Sequence, residues 1–379
     1  MKVYVDCAGC EQRELDAQRI INYLDANGID ITDEPGQCDY AFIVTCAVDK
    51  SSEEESVSRI RDVYSRIGDS AKVIVGGCLP SISPGRLAEY GVHKTISPRE
   101  LESIDSMFGD MISVPMSEIS YPNRSVFDNH AETSPDTQNP RDEYEIAKNG
   151  FKLRIDSGCL GNCSYCMIRS ATGKLYSEPM EDLLKQFSAA VSNGEKTVML
   201  MGGDTGAYGI DIGTNFFALL DNILGVPGDY NIFIHDFNVN WLIRDLERYH
   251  KLLQSSKGSK IRAANFPIQS GSNKVLELMR RPYRVEEAVS ALKATRNSSL
   301  IKMGTHVMVG FPGESEKDFD ATLDMLDDVD FDFITCFPYS EHEGADSARL
   351  PGKVDRTTIE SRIGRIPSHI KERVKVIGD

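Results

Sequence analysis

The chain has 379 residues, of which 40% are hydrophobic and 26% charged, and a formal net charge of −16 at pH 7. This length suits two domains, and the chain contains neither an apolar run of about 18 residues nor a secretory signal, so we expect a cytoplasmic protein without membrane contact. The negative charge disfavours general affinity for nucleic acids, because a polyanion is repelled unless positive residues are concentrated locally.

Residues 1–119 show strands that alternate with helices. Apolar runs at 2–7, 40–46 and 72–78 predict buried strands, and the pattern predicts a helix from about Glu11 to Ala26. A second helix is predicted to begin near Ser52, as N-cap, with Glu55 completing a capping box. This alternation predicts a doubly wound parallel sheet, and we assign 1–119 to a first α/β domain.

Three cysteines of this region, Cys10, Cys46 and Cys78, lie at or just beyond the ends of predicted strands. Ligands gather outside the carboxyl ends of the strands in open parallel sheets, so the three thiols could converge. One cysteine at the end of a buried strand is more often a core residue, but three in one small sheet favour a shared metal site. The remaining cysteines outside the cluster at 159–166 are interpreted as packing residues, namely Cys7, Cys38 and Cys336.

Residues 120–149 are polar and rich in Pro, Asn, Asp and Ser, which predicts a linker. Alternation then resumes over 150–379. Strands are predicted near 151–156, 196–201, 230–235, 261–266, 303–309 and 332–336. Six strand-helix units fit a parallel β/α barrel, complete or partial, with its active residues on the loops that follow the strands.

The segment "CLGNCSYC" follows the first of these strands and contains Cys159, Cys163 and Cys166. Thiolates suit zinc, copper and iron–sulfur clusters, but structural zinc needs four protein ligands and no matching pair stands nearby. A cubane cluster has four irons, so three cysteines leave one iron open. Gly158 and Gly161 allow the loop to fold closely around a cluster, and we favour an iron–sulfur cluster over zinc.

This C-x3-C-x2-C spacing, with Tyr165 before the third cysteine, resembles the signature of radical S-adenosylmethionine enzymes. Over residues 2 to 370 the chain is similar to the methylthiotransferases of that superfamily. The segments that carry this similarity are "AGCEQRELD", "VTCAV", "VGGCLP", "GGDTGAYG", "FPIQSGSNKVLELMRRPY", "GTHVMVGFPGESEKDF" and "FPYSEHEGADSA". The resemblance implies a transferase that inserts sulfur into an unactivated C–H bond and delivers it as a methylthio group.

The resemblance also implies two [4Fe-4S] clusters, S-adenosylmethionine, an external electron donor and a sulfur donor. The cysteines at 159, 163 and 166 would hold the cluster that binds and cleaves S-adenosylmethionine. Those at 10, 46 and 78 would hold an auxiliary cluster whose open iron carries the sulfur. Candidate cofactor contacts are Tyr165, Gly203, Asp204, Gln269 and Ser270. Beyond the cluster ligands no catalytic side chain is predicted.

Ordinary structural roles compete with these assignments. "GGD" at 202–204 and "PIQSGS" at 267–272 are also typical of strand-to-helix turns, the second with Ser272 as a helix cap. "GFPGE" at 310–314 is interpreted as a structural turn. Arg280 and Arg281 either neutralise a carboxylate or are surface charges, and His235 and His306 are interpreted as core residues.

The chain departs from the family at several positions. Arg13 and Val44 stand where Asn is usual, and Glu178 stands where Arg is usual. The chain also ends at Asp379, without the small β-barrel domain that grips the substrate in most members. Together with the charge of −16, this favours a protein, peptide or small-molecule substrate.

Three alternatives remain open. The first is modification of a tRNA adenosine near the anticodon, with a local basic patch made by Arg169, Lys174, Arg280, Arg281 and Arg284. The second is a radical enzyme that does not transfer sulfur. The third, from a different class, is an iron–sulfur redox sensor that recruits a partner protein without catalysis.

Overall fold

The computed structural model describes residues 1–127, 140–366 and 373–376. The chain divides into two units. Unit 1 contains Met1–Ala131 with the short segments Met167–Gly173 and His342–Gly344, and unit 2 contains Glu132–Cys166, Lys174–Glu341 and Ala345–Asp379. Both units are built on parallel sheets, which confirms the predicted α/β class.

Unit 1 has a five-stranded parallel sheet of order β2-β1-β3-β4-β5. Its strands are β1 (Lys2–Ala8), β2 (Asp30–Ile31), β3 (Tyr40–Thr45), β4 (Lys72–Gly77) and β5 (Lys94–Ile96). Its first helices are α1 (Glu11–Ala26), α2 (Lys50–Arg66), α3 (Leu79–Ile82) and α4 (Asp105–Phe108). The strand order reverses between β1 and β3, as it does in doubly wound folds, so the prediction for this region is confirmed.

The first helix of unit 1 agrees with the prediction and the second does not. Helix α1 runs from Glu11 to Ala26, and Gly28 follows it with φ +64°. Helix α2 begins at Lys50, two residues before the predicted cap, because the Asp49 carboxylate accepts a hydrogen bond from the Ser52 N–H. The prediction of Ser52 as N-cap was wrong, since Asp caps helices as well as Ser does and lies closer to the end of β3.

From residue 140 the chain adds the elements of unit 2 and one helix of unit 1. The strands are β6 (Phe151–Arg154), β7 (Asp156–Ser157), β8 (Tyr176–Ser177), β9 (Thr197–Met201), β10 (Asn231–Ile234), β11 (Ile261–Asn265), β12 (Lys302–Val309), β13 (Phe333–Pro338) and β14 (Val374–Val376). The helices are α5 (Pro140–Lys148), α6 (Ile168–Thr172), α7 (Met180–Ser192), α8 (Phe216–Gly225), α9 (Val239–Arg244), α10 (Leu246–Leu253), α11 (Asn273–Leu278), α12 (Val285–Ser298), α13 (Glu316–Val329) and α14 (Arg356–Gly364). Of these, α6 belongs to unit 1.

The main sheet of unit 2 has seven parallel strands in the order β14-β13-β12-β11-β10-β9-β6. Six of them are the strands that the sequence predicts, in chain order. Within the described part of the chain β6 and β14 are not paired, so the barrel is open. The predicted partial β/α barrel is therefore confirmed.

Side chains alternate between the two faces of this sheet, as the two-residue period of strands requires. One face packs on the surrounding helices through a large core that includes Leu153, Leu200 and Ile234. The inner face carries a smaller cluster, which contains Met199, Met201, Phe233, Ala263 and Phe333 together with Tyr144 of α5. Helix α5 thus packs inside the open barrel.

The segment predicted as a linker, 120–149, lies partly outside the described residues, at 128–139. Its last part forms α5, which its polar composition did not predict. None of the helices in the described ranges combines the length and the apolar character that crossing a bilayer requires.

Candidate metal centres

The three strand-end cysteines of unit 1 come together. Cys46 follows β3 and Cys78 follows β4, and their backbone N–H groups donate to Ala8 and Thr45 at 2.9 Å, which continues the parallel ladder beyond the strands. The Cys46 thiol is hydrogen-bonded to the thiols of both Cys10 and Cys78. The convergence predicted from the topology is thus present in the fold.

Solvent reaches this cysteine cluster from one side. Cys46 and Cys78 are buried, with 2% and 8% of their surface exposed, whereas Cys10 at the start of α1 is exposed. The hydrogen bond with Cys46 raises the pKa of Cys10 and lowers the pKa of Cys78. A metal ligand must be a thiolate, and Cys78 is the thiol whose surroundings already favour that form.

A guanidinium group lies beside the thiols of unit 1. Arg13, in the first turn of α1, is only 1% exposed, and its Nη1 lies 3.9 Å from the Sγ of Cys78. Its Nη2 lies 3.0 Å from the Oδ2 of Asp16, one helical turn further on. From the sequence, Arg13 was noted only because Asn is usual at this position in the family. Its contact with Cys78 was not predicted.

The second cysteine set lies on the loop between β7 and α6. Cys159, Cys163 and Cys166 are all partly exposed. The backbone N–H of Gly161 donates to the Sγ of Cys159 at 3.2 Å. Burial raises the pKa of Cys159 to about 11, so in the absence of a metal this thiol stays protonated at neutral pH.

Arg281 reaches this second cysteine set from the loop after α11. Its Nη1 donates to the Sγ of Cys163 at 3.5 Å, and its Nη2 donates to the Pro267 carbonyl at 2.6 Å. From the sequence, Arg281 was expected either to neutralise a carboxylate or to be a surface charge, and a contact with a cysteine was not predicted. The neighbouring Arg280 pairs instead with the half-exposed Asp346, at 2.6 Å.

The predicted cofactor segment "GGD" packs against the cysteine loop. A Cβ at Gly203 would lie 1.9 Å from the Gly158 carbonyl oxygen, so only glycine fits here. The Gly203 N–H donates to the Asp156 carboxylate at 2.7 Å. The Asp204 carboxylate accepts the indole N–H of Trp241 at 2.9 and 3.0 Å, and burial raises the pKa of Asp204 to about 6.

The segment "PIQSGS" divides into a residue suited to a ligand and a structural turn. Gln269 is 8% exposed and has φ +83°, and its buried side-chain oxygen has no hydrogen-bond donor in the described ranges. Ser270 is fully buried and accepts the Ser272 N–H at 3.1 Å, while Ser272 caps α11. The geometry thus favours a ligand contact for Gln269 and the competing turn interpretation for Ser270.

Tyr165, the remaining predicted contact, packs in an apolar cluster. Its ring meets that of Phe311 edge-on at 6.2 Å between centroids, and Val275 and Met279 belong to the same cluster. The side chain therefore supports the cysteine loop, and a contact with the cofactor stays a prediction.

A polar group on the inner face of the barrel was not predicted from the sequence. The Asn265 side-chain nitrogen lies 2.9 Å from the Asp236 carboxylate and 2.8 Å from Nε2 of His306. Burial lowers the pKa of His306 to about 4, and Asp236 has φ +45°. The signal that could have found this group is the two-residue alternation, which places His235, Asn265 and His306 on the inner face near the carboxyl ends of neighbouring strands.

The two cysteine sets suit iron–sulfur clusters better than a single ion. Within the described ranges no three His, Cys, Asp or Glu side chains surround one ion-sized point. A cluster of four irons spreads its ligands more widely than one ion does, and each set offers three soft donors beside a guanidinium group. The unsatisfied oxygen of Gln269 is consistent with a further polar ligand in unit 2.

Comparisons with known proteins agree with this chemistry. Residues 154–326 match the model of the radical SAM superfamily, and residues 2–96 match that of the uncharacterized protein family UPF0004. A solved radical S-adenosylmethionine methyltransferase, TsrM from Kitasatospora setae, has 13% identity and a TM-score of 0.58, with 88% of this chain and 74% of that one covered. At this identity the structural likeness concerns the fold alone.

Two curated relatives are more informative. A protein of Pyrococcus horikoshii described as a probable threonylcarbamoyladenosine tRNA methylthiotransferase is 31% identical over 383 residues, with 96% of this chain and 84% of the relative covered. The ribosomal protein uS12 methylthiotransferase of Thermosipho melanesiensis is 31% identical over 373 residues, with 96% and 81% covered. The chain therefore belongs to the radical S-adenosylmethionine methylthiotransferase family, whose members are transferases that use S-adenosylmethionine and a [4Fe-4S] cluster.

Proposed function

We propose that the chain transfers a methylthio group to an unactivated carbon of N6-threonylcarbamoyladenosine in tRNA, using two [4Fe-4S] clusters. The observation that carries the substrate proposal is the 31% identity to the Pyrococcus horikoshii relative with that activity in its name. Relatives from Pyrococcus abyssi, Methanocaldococcus jannaschii and Thermotoga maritima with the same substrate in their names are 25–29% identical over 96–99% of this chain.

The two clusters would be held by the two cysteine sets. Cys159, Cys163 and Cys166 would bind the cluster in unit 2, and Cys10, Cys46 and Cys78 would bind the auxiliary cluster in unit 1. Each set supplies three ligands, which leaves one iron of each cubane open to another ligand. Bound together, the clusters and S-adenosylmethionine supply one-electron chemistry and a sulfur atom, which acid–base side chains cannot provide for an apolar C–H bond.

The chain's own residues bind and orient these groups. The Gly161 N–H donates to the Cys159 sulfur and the Arg281 guanidinium donates to the Cys163 sulfur, which orients the cysteine loop. The packing of Gly203 against Gly158 sets the loop after β9 against the cysteine loop. Gln269 offers its unsatisfied oxygen to an ammonium or hydroxyl donor of S-adenosylmethionine.

The inner face of the barrel suits a polar substrate. Lys152 and Arg154 alternate along β6 with the core residues Phe151 and Leu153, so they belong to the inner face. Both basic side chains are buried, with 0% and 6% of their surface exposed, so the inner face is charged as well as apolar.

A second candidate substrate is a protein, peptide or small molecule. It is favoured by the net charge of −16 and by the Thermosipho melanesiensis relative that is named for ribosomal protein uS12. Three cations expected in a tRNA-binding patch are also already engaged, since Arg280 pairs with Asp346, Arg284 with Glu286, and Arg281 with the Cys163 sulfur. The electron donor and the sulfur donor would be external partners in either case.

The test is an anaerobic reaction of the reconstituted enzyme with S-adenosylmethionine, a reductant and sulfide. Three substrates are compared, namely tRNA with threonylcarbamoyladenosine, the same tRNA without that modification, and ribosomal protein uS12. We expect mass spectrometry to find one added sulfur and one added methyl group on the modified tRNA only. Addition to the protein alone would favour the second candidate. The absence of any sulfur-containing product, with 5′-deoxyadenosine released or not, would contradict both.

A further inference from the structure

Arg13 is a buried cation directed at the cysteines of unit 1. It is 1% exposed, and its Nη1 is 3.9 Å from the Sγ of Cys78. Burying a charge is costly unless it is paired, and Arg13 pairs with Asp16 at 3.0 Å, while its Nε forms no hydrogen bond to any described residue. One carboxylate therefore pairs with a guanidinium that also acts electrostatically on the thiols of Cys78, Cys10 and Cys46.

The backbone accommodates this side chain. Gly9 precedes Cys10, and a Cβ at Gly9 would lie 2.4 Å from the Cβ of Arg13 and 3.3 Å from the Cys7 sulfur. The absence of a side chain at residue 9 thus leaves room for the first turn of α1, where Cys10 is the N-cap and Arg13 lies one turn further on. Arg13 and Asp16 are three residues apart on α1, so their side chains are neighbours on the helix surface.

We propose that Arg13 is the charge-compensating residue of the auxiliary cluster, which fixes the cluster's reduction potential through its buried positive charge. The inference rests on the proposed cluster at Cys10, Cys46 and Cys78. Three thiolates bring negative charge into a partly buried site, and adding an electron increases that charge. A neighbouring guanidinium stabilises the reduced form more than the oxidised form, so it raises the potential.

The test uses the full-length chain with Cys159, Cys163 and Cys166 replaced by Ala, so that only the auxiliary cluster forms. Potentials are measured anaerobically by a redox titration followed by electron paramagnetic resonance, on samples that hold about four irons per chain. The variants are Arg13→Gln, which removes the charge, Arg13→Lys, which keeps it, and Asp16→Asn, which removes the counter-charge. Arg19→Gln is the matched control, because Arg19 is also buried on α1 but donates to the carbonyls of Met116 and Ile119.

We expect Arg13→Gln to lower the equilibrium constant for one-electron reduction about tenfold or more, which corresponds to about 59 mV. Asp16→Asn should raise the potential, and Arg13→Lys and Arg19→Gln should leave it nearly unchanged. If Arg13→Gln fails to fold, Arg13→Gln/Asp16→Asn replaces it and is compared with Asp16→Asn, since these two differ only in the Arg13 charge. Equal potentials in that pair, or in Arg13→Gln and the parent, would overturn the proposal.

Failure of the proposed function would look different. A chain that binds no iron at Cys10, Cys46 and Cys78 would show no auxiliary signal in the parent, before any substitution at Arg13. If the chain holds the cluster but adds no methylthio group, the reduction potential of the cluster can still be measured and the role of Arg13 is still tested. A loss of iron in both Arg13→Gln and Arg13→Lys would show that the side chain acts only through packing, and that would also overturn the proposal.

Discussion

Gly203 lies at the closest backbone approach between the loop after β9 and the cysteine loop of unit 2. A Cβ there would be 1.9 Å from the Gly158 carbonyl oxygen and 2.9 Å from its carbon, and neither backbone atom can move as a flexible side chain would. Glycine is required here by the small space and not by the backbone conformation, since the φ of Gly203 is not positive. The "GGD" segment therefore has a structural reason that is independent of any ligand.

We predict that Gly203→Ala lowers the free energy of unfolding of unit 2 by about 2 kcal/mol or more, because overpacking a close backbone contact forces both loops apart. Gly225→Ala is the matched control. It lies at the end of α8, where a Cβ comes no closer than 3.8 Å to the Lys257 Nζ, so we expect no loss and up to about 1 kcal/mol of gain. The measurement is denaturant unfolding followed by the fluorescence of Trp241, the single tryptophan of the chain. Equal stability of the two variants would contradict the assignment.

Among single residues, the six cysteines could be chosen as candidate ligands from the sequence, because their spacing and their places after strands are local signals. Arg13 and Arg281 could not be placed in this way. They contact sulfur atoms that are 65 and 118 positions away in the chain, and no local pattern predicts which cation a fold brings to a given thiol. Gln269 was identified from its segment, but only the structure separates it from Ser270, since the Gln269 side-chain oxygen lacks a donor in the described ranges while Ser270 accepts the Ser272 N–H.

Helix α14 is attached to the "GFPGE" turn by a buried ion pair. The Nη1 of Arg362 lies 2.7 Å from the Oε2 of Glu314, and both residues are about 5% exposed. The same carboxylate oxygen accepts the Gly310 N–H at 2.7 Å, where the chain turns with φ +83°. The pair thus ties the last helix of the barrel to the loop after β12, which supports the interpretation of "GFPGE" as a structural turn.

We predict that Arg362→Met lowers the free energy of unfolding of unit 2 by about 3–5 kcal/mol, because it leaves the Glu314 carboxylate buried without its partner. Arg356→Met on the same helix removes an exposed pair with Glu360, and its effect should stay below about 1 kcal/mol. Trp241 fluorescence in a denaturant titration measures both. A loss below about 1 kcal/mol in Arg362→Met would show that α14 is not held by this pair.

At the scale of elements, the sequence predicted the strands better than the helix boundaries. Buried parallel strands are continuous apolar runs, so six strands of the barrel and three of the first sheet could be located directly. Short strands such as β2 and β5 have no such run, and α2 begins at a cap that competes with a nearby serine. Helix α5 was not predicted because most of its residues are polar, and the sequence does not show that Tyr144 and Ala147 are buried against the inner face of the sheet.

For the whole molecule, the strand order follows from the alternation of strands and helices together with the right-handed connection rule. The order 2-1-3-4-5 in unit 1 brings Cys10, Cys46 and Cys78 to one edge, although they are far apart in the chain. The polar group of Asp236, Asn265 and His306 arises in the same way from three adjacent strands of the barrel. The substrate could not be predicted at this scale, because net charge averages over the chain while recognition depends on a few residues.

Two iron–sulfur clusters with different tasks, each held by three cysteines, are the core of the proposed function, and iron analysis of three anaerobically reconstituted proteins shows whether both form. We predict about eight irons and eight sulfides per chain in the wild type, and about four of each in Cys10→Ala/Cys46→Ala/Cys78→Ala and in Cys159→Ala/Cys163→Ala/Cys166→Ala. Of the two triple variants, only the one that lacks the unit 1 cysteines should still release 5′-deoxyadenosine from S-adenosylmethionine. A wild type with about four irons, or a unit 1 triple variant that keeps about eight, would show that the two cysteine sets do not each hold a cluster.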